Sequence, residues 1–549
     1  MRKSFYMNDR TVIINFSAGY CENCEDILSS EGFGIFLGRY LKDLAIREIN
    51  IYSWLTKGRD LDVIVSELTR LFKQLLVLKL EEMLDPMVDE LNRLKLLFIV
   101  HDAYNFWMSK ERFSVLNANA PSSPAKNFMD EDNRFNQLVL KLYRSCEGKL
   151  QDRENRIYHQ PQAGTNASAL ISNYRGKKLN GYGFLKNIPF VNTLILRTPM
   201  LLHSGISRKE FLLEEAETNP VRSIEINQQE WYCYPAKVGN LLGFVYFHRD
   251  CMSYGLSLGN LYELATEEEC ISRKPDFICL FGNKDEQECR YFYDAENDIW
   301  TGSVSLNDKT DNMGCLRKMI MTLHNARYMQ KKWLPVHGTM LEIIFRDGLR
   351  RSMIMIGDSD IGKSETIEML KKISLEEKVA MRIASMETVF DDMGTLHIEN
   401  GHVYAQGSET GVLVKLEDMY RNSAYRDMGR SVFFNAETDN ARVVSPLSPY
   451  DLIGINHSID LIIYANNFDD RTGVYRFEDA EEGRRAFDDC ISTMHGYDVC
   501  SELMDEIYEV LRRDDVFIGE VYTNMATGHR EALSESARQL LKTIREVKR

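Results

Sequence analysis

Residues 352–370 read SMIMIGDSDIGKSETIEML: an apolar run, a tight polar loop, then a stretch with helical spacing. The loop, Gly357-Asp358-Ser359-Asp360-Ile361-Gly362-Lys363-Ser364 with Glu365 behind it, fits the phosphate-cradling pattern G-x-x-x-x-G-K-[ST]. Glycine is needed there because the backbone must wrap closely enough for its N–H groups to face phosphate oxygens. Lys363 would carry positive charge to the β- and γ-phosphates, and Ser364 would offer a hydroxyl to a divalent metal. The positive end of the following helix adds to that attraction. Met353-Ile354-Met355-Ile356 reads as the strand entering the loop, and Ile367, Leu370 and Ile373 as the apolar stripe of the helix leaving it. Strand, loop and helix together predict nucleotide binding.

The segment upstream sharpens the fold. Met340-Leu341-Glu342-Ile343-Ile344-Phe345 alternates like a strand, and Arg346-Asp347-Gly348 carries the Asp-Gly signal of a tight hairpin. The loop strand should therefore pair antiparallel with its predecessor, whereas a simple βαβ start would give a parallel pair.

With these motifs in hand, "VHGTMLEI", the hairpin, "GDSDIGKSE" and then "VFDDMGTL" resemble the core of the bacterial HPr kinase/phosphorylases, which is shared with phosphoenolpyruvate carboxykinases. "WLPVHG" at 333–338 and "NARVVSP" at 440–446 are similar to two further carboxykinase motifs, so the likeness spans roughly 311–470. The resemblance implies ATP with Mg²⁺ or Mn²⁺ as cofactors. It implies that Asp391 and Asp392 serve the metal and that Asp391 acts as general base. It implies that Arg442 stabilises charge on the transferring phosphoryl group and that His337 lies near the phosphate. The Lys and His metal ligands that the resemblance to carboxykinases implies would fall nearest to Lys318 and His324.

Three departures shape the functional expectation. Asp360 stands where the family has glycine, which places a carboxylate beside the phosphates. The stretch after the loop is shorter than in carboxykinases, so part of their C-terminal lobe is missing. The Gly-Arg-Ser-Pro segment that grips oxaloacetate is absent; "SGISRKEF" at 204–211 comes nearest, with Ile206 in the arginine's place and Arg208 two positions on. The expectation is an ATP-dependent phosphotransferase with an unidentified small-molecule or protein phosphoacceptor. The alternatives are a true carboxykinase acting on oxaloacetate, and a nucleotide-binding regulatory or scaffold protein without catalysis.

Composition bounds the rest. The chain has 549 residues, 44% hydrophobic and 27% charged, with 12 prolines, which calls for several folded domains. A net charge of −15 argues against a nucleic-acid-coating surface. No apolar run reaches the length of a membrane span, and the first residues lack the apolar centre of a signal peptide, so a cytoplasmic protein is expected. The 11 cysteines are scattered and read as reduced thiols; Cys21 and Cys24 form the one close pair, without an evident partner pair for zinc.

The expected class is α/β: a helical N-terminal domain at 1–155, a mixed α/β domain at 156–310, and a nucleotide-binding domain with a mixed sheet at 311–549. Residues 30–117 are predicted helical, since Leu61, Ile64, Leu68, Leu71, Leu75 and Leu78 repeat at helical steps. This reads as a bundle packing its own core, with association through that region as the alternative. Residues 117–132 read as a linker, followed by a helix from Arg134 to Arg153.

Overall fold

The computed structural model describes residues 3–18, 21–83, 90–119, 128–151, 162–174, 177–205, 213–284, 289–307, 310–357, 361–374, 376, 379, 382–416, 428–438, 440–467, 471–492, 501–523 and 530–547. The side chains at 90, 91, 364, 480, 488–492 and 530 are not among those described. The chain is α/β, and the described residues form four sheets of 12, six, four and four strands.

The six-stranded sheet holds the phosphate loop. Its order is Ile383–Phe390, Gly338–Phe345, Arg350–Ile356, Leu461–Asn466, Phe517–Tyr522 and Val474–Arg476. The predicted hairpin is present: Gly338 lies opposite Ile356 and Ile344 opposite Arg350, antiparallel. Gly348 takes a φ of +86° at the turn, and the Leu349 N–H donates to Asp347 Oδ1 at 3.2 Å. The loop strand's other neighbour, Leu461–Asn466, runs parallel, which makes the sheet mixed.

Both faces of this sheet are buried, and the two-residue period of a strand sorts its side chains. Leu341, Ile343, Met353, Met355, Leu461 and Ile463 pack against Ile367, Leu370 and Ile373 of the helix Lys363–Ser374 and against Leu540 and Ile544 of the helix Arg530–Glu546. Met340, Ile354, Ile356 and Ile462 face the other way, toward Ile507 and Leu511 of the helix Ser501–Arg513. Double burial explains why the loop strand reads as an unbroken apolar run.

The N-terminal half departs from expectation. A 12-stranded sheet runs through Phe5–Met7, Thr11–Asn15, Glu111–Asn117, Ala167–Ser172, Phe190–Leu196, Trp231–Val238, Leu241–His248, Phe277–Asn283, Ile299–Ser305, Cys289–Asp294 and Leu213–Glu215, with Glu263–Leu264 beside Trp231–Val238. The predicted boundary at 155/156 falls inside it, because Glu111–Asn117 pairs in parallel with Thr11–Asn15 on one side and Ala167–Ser172 on the other. Residues 1–155 are therefore not purely helical, and the helical run predicted to 117 ends at Met108.

The helices Glu31–Arg47, Leu61–Val77, Glu90–Met108 and Phe128–Leu150 do share a core, with Leu41, Leu44, Ile64, Leu68, Leu71, Leu75 and Ile99 at its centre. The last of them begins within the predicted linker, of which residues 120–127 lie outside the described residues. The boundary at 310/311 is bridged as well: Met200–Leu202 pairs in parallel with Val432–Phe434 in a four-stranded sheet. Among the described residues no helix is long and apolar enough to cross a membrane.

Candidate functional site

Register in the six-stranded sheet gathers three chain segments at one edge. Gly338 is opposite Ile356, so His337 and the start of the phosphate loop leave the sheet side by side. Met340 is opposite Phe390, so the Asp391–Asp392 pair leaves at the same edge. The strands can meet this closely only without a side chain at position 338, where a Cβ would fall 2.6 Å from the Met355 carbonyl oxygen.

The loop is pinned at several points. Gly357 and Gly362 take φ values of +147° and +97°, which favour glycine. The Thr366 hydroxyl donates to the Gly362 carbonyl at 2.7 Å, and the Thr523 hydroxyl donates to the Ile361 carbonyl at 2.7 Å. Lys363 opens the helix, is buried, and its Nζ donates to the Gly357 carbonyl at 2.5 Å. The ammonium thus ties the end of the loop back to its first glycine. Glu365 sits in the first helical turn. Asp358, Ser359 and Asp360 lie outside the described residues, as does the Ser364 side chain.

The two aspartates, both half-buried, have opposite surroundings. Asp391 Oδ1 accepts from the Thr339 hydroxyl. Removal from water pushes its pKa up, the Thr339 bond opposes this, the charge of Asp392 adds to it, and Lys363 and Lys371 oppose it; the outcome is a raised value. Asp392 stands at a φ of +76° and turns toward other groups. Its Oδ2 lies 2.7 Å from Arg317 Nη2, and its Oδ1 pairs with His337 Nε2. Removal from water would raise this carboxyl too, but the Arg317 charge and the His337 contact outweigh that and hold it well below the usual carboxylate range.

Arg317 is the hub of this second cluster. It projects from the helix Met313–Gln330, and its Nε donates to Glu409 Oε1 at 2.8 Å. Glu409 is buried and also accepts from the Tyr262 hydroxyl at 2.8 Å. Burial weighs against the guanidinium, yet the adjacent Glu409 and Asp392 hold its pKa well above the ordinary value. Sequence reasoning missed Arg317, Glu409, Tyr262 and Thr339. The nearest signal was Lys318, a residue singled out one position away from Arg317.

Two expected site residues stand elsewhere. His324 lies inside the same helix, fully buried, with Nδ1 2.8 Å from Asn325 Oδ1 and its ring edge-on to Tyr328 at 4.6 Å. Burial pushes its imidazole down to about 4, and among the described residues no cluster of metal-ligating side chains includes it. Arg442 opens the strand Arg442–Pro446 opposite Lys415 and Phe434, in a different sheet. Among the described residues, no hydrogen bond or ion pair joins it to Lys363, Asp391 or Asp392. Arg208, weighed as a substrate grip, lies outside the described residues. Cys24 is buried, with Sγ 3.7 Å from the Leu138 carbonyl oxygen.

Among the described residues no group of three or more His, Cys, Asp or Glu side chains is placed to hold a metal ion. Arg317 and His337 engage both oxygens of Asp392, which leaves neither free for the metal role expected of it. No protein-family model and no curated protein matches the chain.

Proposed function

We propose that the protein is an ATP-dependent phosphotransferase whose site lies at this sheet edge, on a scaffold resembling the carboxykinase and HPr kinase core. The observation that carries the reading is the convergence of Lys363 and Asp391. One is a cation at a helix start behind a glycine loop, the other a carboxyl with a raised pKa that feels that cation's charge.

Lys363 and the loop N–H groups bind the triphosphate and orient its γ-phosphoryl group. Asp391 takes the proton of the acceptor hydroxyl as the acceptor oxygen bonds to phosphorus and the bond to ADP breaks. A raised pKa makes it a better base, and the Thr339 hydroxyl fixes its direction. A divalent ion brought in with the ATP, with the Ser364 hydroxyl as its ligand from the loop, would supply charge neutralisation. Arg442 has no part in this step as drawn.

The test is incubation with γ-labelled ATP and Mg²⁺ or Mn²⁺ against metabolite and protein panels, following the label. No labelled acceptor and no released phosphate would end the transferase reading. A second reading, nucleotide binding without transfer, draws support from Asp392, whose oxygens are taken by Arg317 and His337. Oxaloacetate is the less favoured acceptor. A dianion beside a triphosphate needs its own cations, and Arg317, the arginine placed at this edge, is already engaged by Glu409 and Asp392. With ATP, Mn²⁺ and oxaloacetate, little phosphoenolpyruvate is expected.

A further inference from the structure

Far along the chain from the phosphate loop, the N-terminal region encloses a cavity of about 500 Å³. It lies among the helices Glu31–Arg47, Leu61–Val77, Glu90–Met108 and Phe128–Leu150 and the first strand, Phe5–Met7. Its wall is aromatic, with Phe33, Phe36, Phe72, Trp107, Phe135 and Tyr143 prominent. Several rings meet edge to face: Phe36 and Trp107 at 86° with centroids 5.7 Å apart, Phe33 and Phe72 at 75° and 6.2 Å. Such walls present both ring faces and ring edges to a flat guest. The volume lies within the range of small-molecule sites and is much larger than the voids of a packed core.

Charge narrows the guest. Among the described residues that line the cavity there is no lysine or arginine; the charged ones are Asp26 and Glu31. Asp26 is occupied at the start of a helix, where its Oδ2 accepts the Glu22 N–H at 2.8 Å. Arg112 and Arg144, whose charges reach the Tyr104 hydroxyl, are not among the described lining residues and are already engaged, Arg112 by the Gly164 and Trp107 carbonyls and Arg144 by Glu147. An anionic guest such as a free fatty acid would therefore find no counter-charge on the cavity wall, and an unpaired charge in apolar surroundings is strongly disfavoured.

One polar group is left over. The Tyr104 hydroxyl is buried and has no hydrogen-bond partner, the one such side-chain atom among the described lining residues. Its ring stacks on Tyr143, with centroids 3.9 Å apart and an 11° tilt. Tyr143 differs from it: that hydroxyl donates to Glu147 Oε1 at 3.1 Å and lies 2.9 Å from His101 Nδ1. Trp107 Nε1–H donates to the Ala163 carbonyl at 2.7 Å, and the Ser30 hydroxyl donates to the Ile27 carbonyl at 2.7 Å. A buried donor left unpaired carries its full desolvation cost, which a guest's acceptor would remove.

We propose that this cavity is a binding site for a neutral, largely aromatic small molecule that accepts a hydrogen bond from the Tyr104 hydroxyl. The inference does not depend on the phosphotransferase reading. The probe is 6-propionyl-2-(dimethylamino)naphthalene, a neutral aromatic ketone whose emission reports polarity and hydrogen bonding, titrated into the full chain. The expected result is saturable one-to-one binding with blue-shifted emission, and much weaker binding of the anionic 1-anilinonaphthalene-8-sulfonate. Tyr104→Phe should weaken the ketone by about three- to ten-fold, the loss of one hydrogen bond, without lowering the unfolding temperature. Ala103→Leu, which adds volume to the wall, should abolish binding. No saturable binding, equal affinity for the sulfonate, or an unchanged affinity in Tyr104→Phe would each overturn the assignment.

Discussion

The two flanks of the phosphate-loop edge solve the problem of a half-buried carboxylate in opposite ways. On the flank of Lys363, Asp391 accepts from the Thr339 hydroxyl and feels the Lys363 charge, but burial prevails and its pKa rises. On the flank of Arg317, Asp392 is held by a guanidinium and an imidazole, and its pKa falls. The residues are adjacent in sequence, so their difference comes from what the fold brings to each. A carboxyl left under-compensated is ready to take a proton; one that is fully compensated serves as a fixed anion that positions its neighbours.

The comparison breaks most decisively at Asp391. Asp391→Asn is expected to lower kcat by about a hundred- to ten-thousand-fold while ATP affinity changes little, since it removes the base and keeps the shape. Single-turnover transfer alongside calorimetry separates the two effects, and equal losses in both would make Asp391 a binding group. Arg317→Met tests the other flank. It strands buried Glu409 without its cation and should cost about 3–5 kcal/mol of stability in denaturant unfolding. Adding Glu409→Gln should recover part of that loss. A wild-type midpoint for Arg317→Met would show that the hub holds nothing together.

Lys363→Ala should weaken ATP binding by about ten-fold or more, the loss of a charge-assisted contact, as read by calorimetry. Unchanged affinity would remove the loop from nucleotide binding. The smallest effect lies in the pH dependence of stability. With its folded pKa raised, Asp391 holds a proton to higher pH than the unfolded chain does. Stability is therefore lost as pH climbs from the ordinary aspartate range through the raised value. Asp392, with its value lowered, contributes stability above the ordinary range and loses it as pH falls. Asp391→Asn should abolish the first trend and keep the second. Unfolding temperatures of wild type and variant across the acidic range decide this; parallel curves would refute it.

How much of this could be read in advance depends on the range of the interactions. The hairpin and the loop were readable because each is a local pattern: the alternation in Gly338–Phe345, the Asp-Gly turn and the glycine spacing all lie within thirty residues. The Arg317–Glu409 pair was not, since it spans 92 positions and each residue alone resembles a solvated charge. Glu111–Asn117 was read as the tail of a helical stretch because its neighbours carry the helical period. The alternation of Phe113 with Val115 was the signal available, and pairing with strands on both sides decided the outcome. Thr11–Asn15, a strand of β-branched residues, is short and stands alone in the sequence, and its partner Glu111–Asn117 lies about 100 positions on.

The bond from the Thr523 hydroxyl to the Ile361 carbonyl has a consequence for synthesis. It joins the phosphate loop to a residue 162 positions downstream, just beyond the strand Phe517–Tyr522. As the chain leaves the ribosome, the loop is made long before the strand and threonine that fix it. Throughout that interval the hairpin can form but the cradle lacks its far anchor. A nascent chain halted before Thr523 would carry every residue of the glycine motif and the local bonds of Lys363 and Thr366, and still lack this anchor.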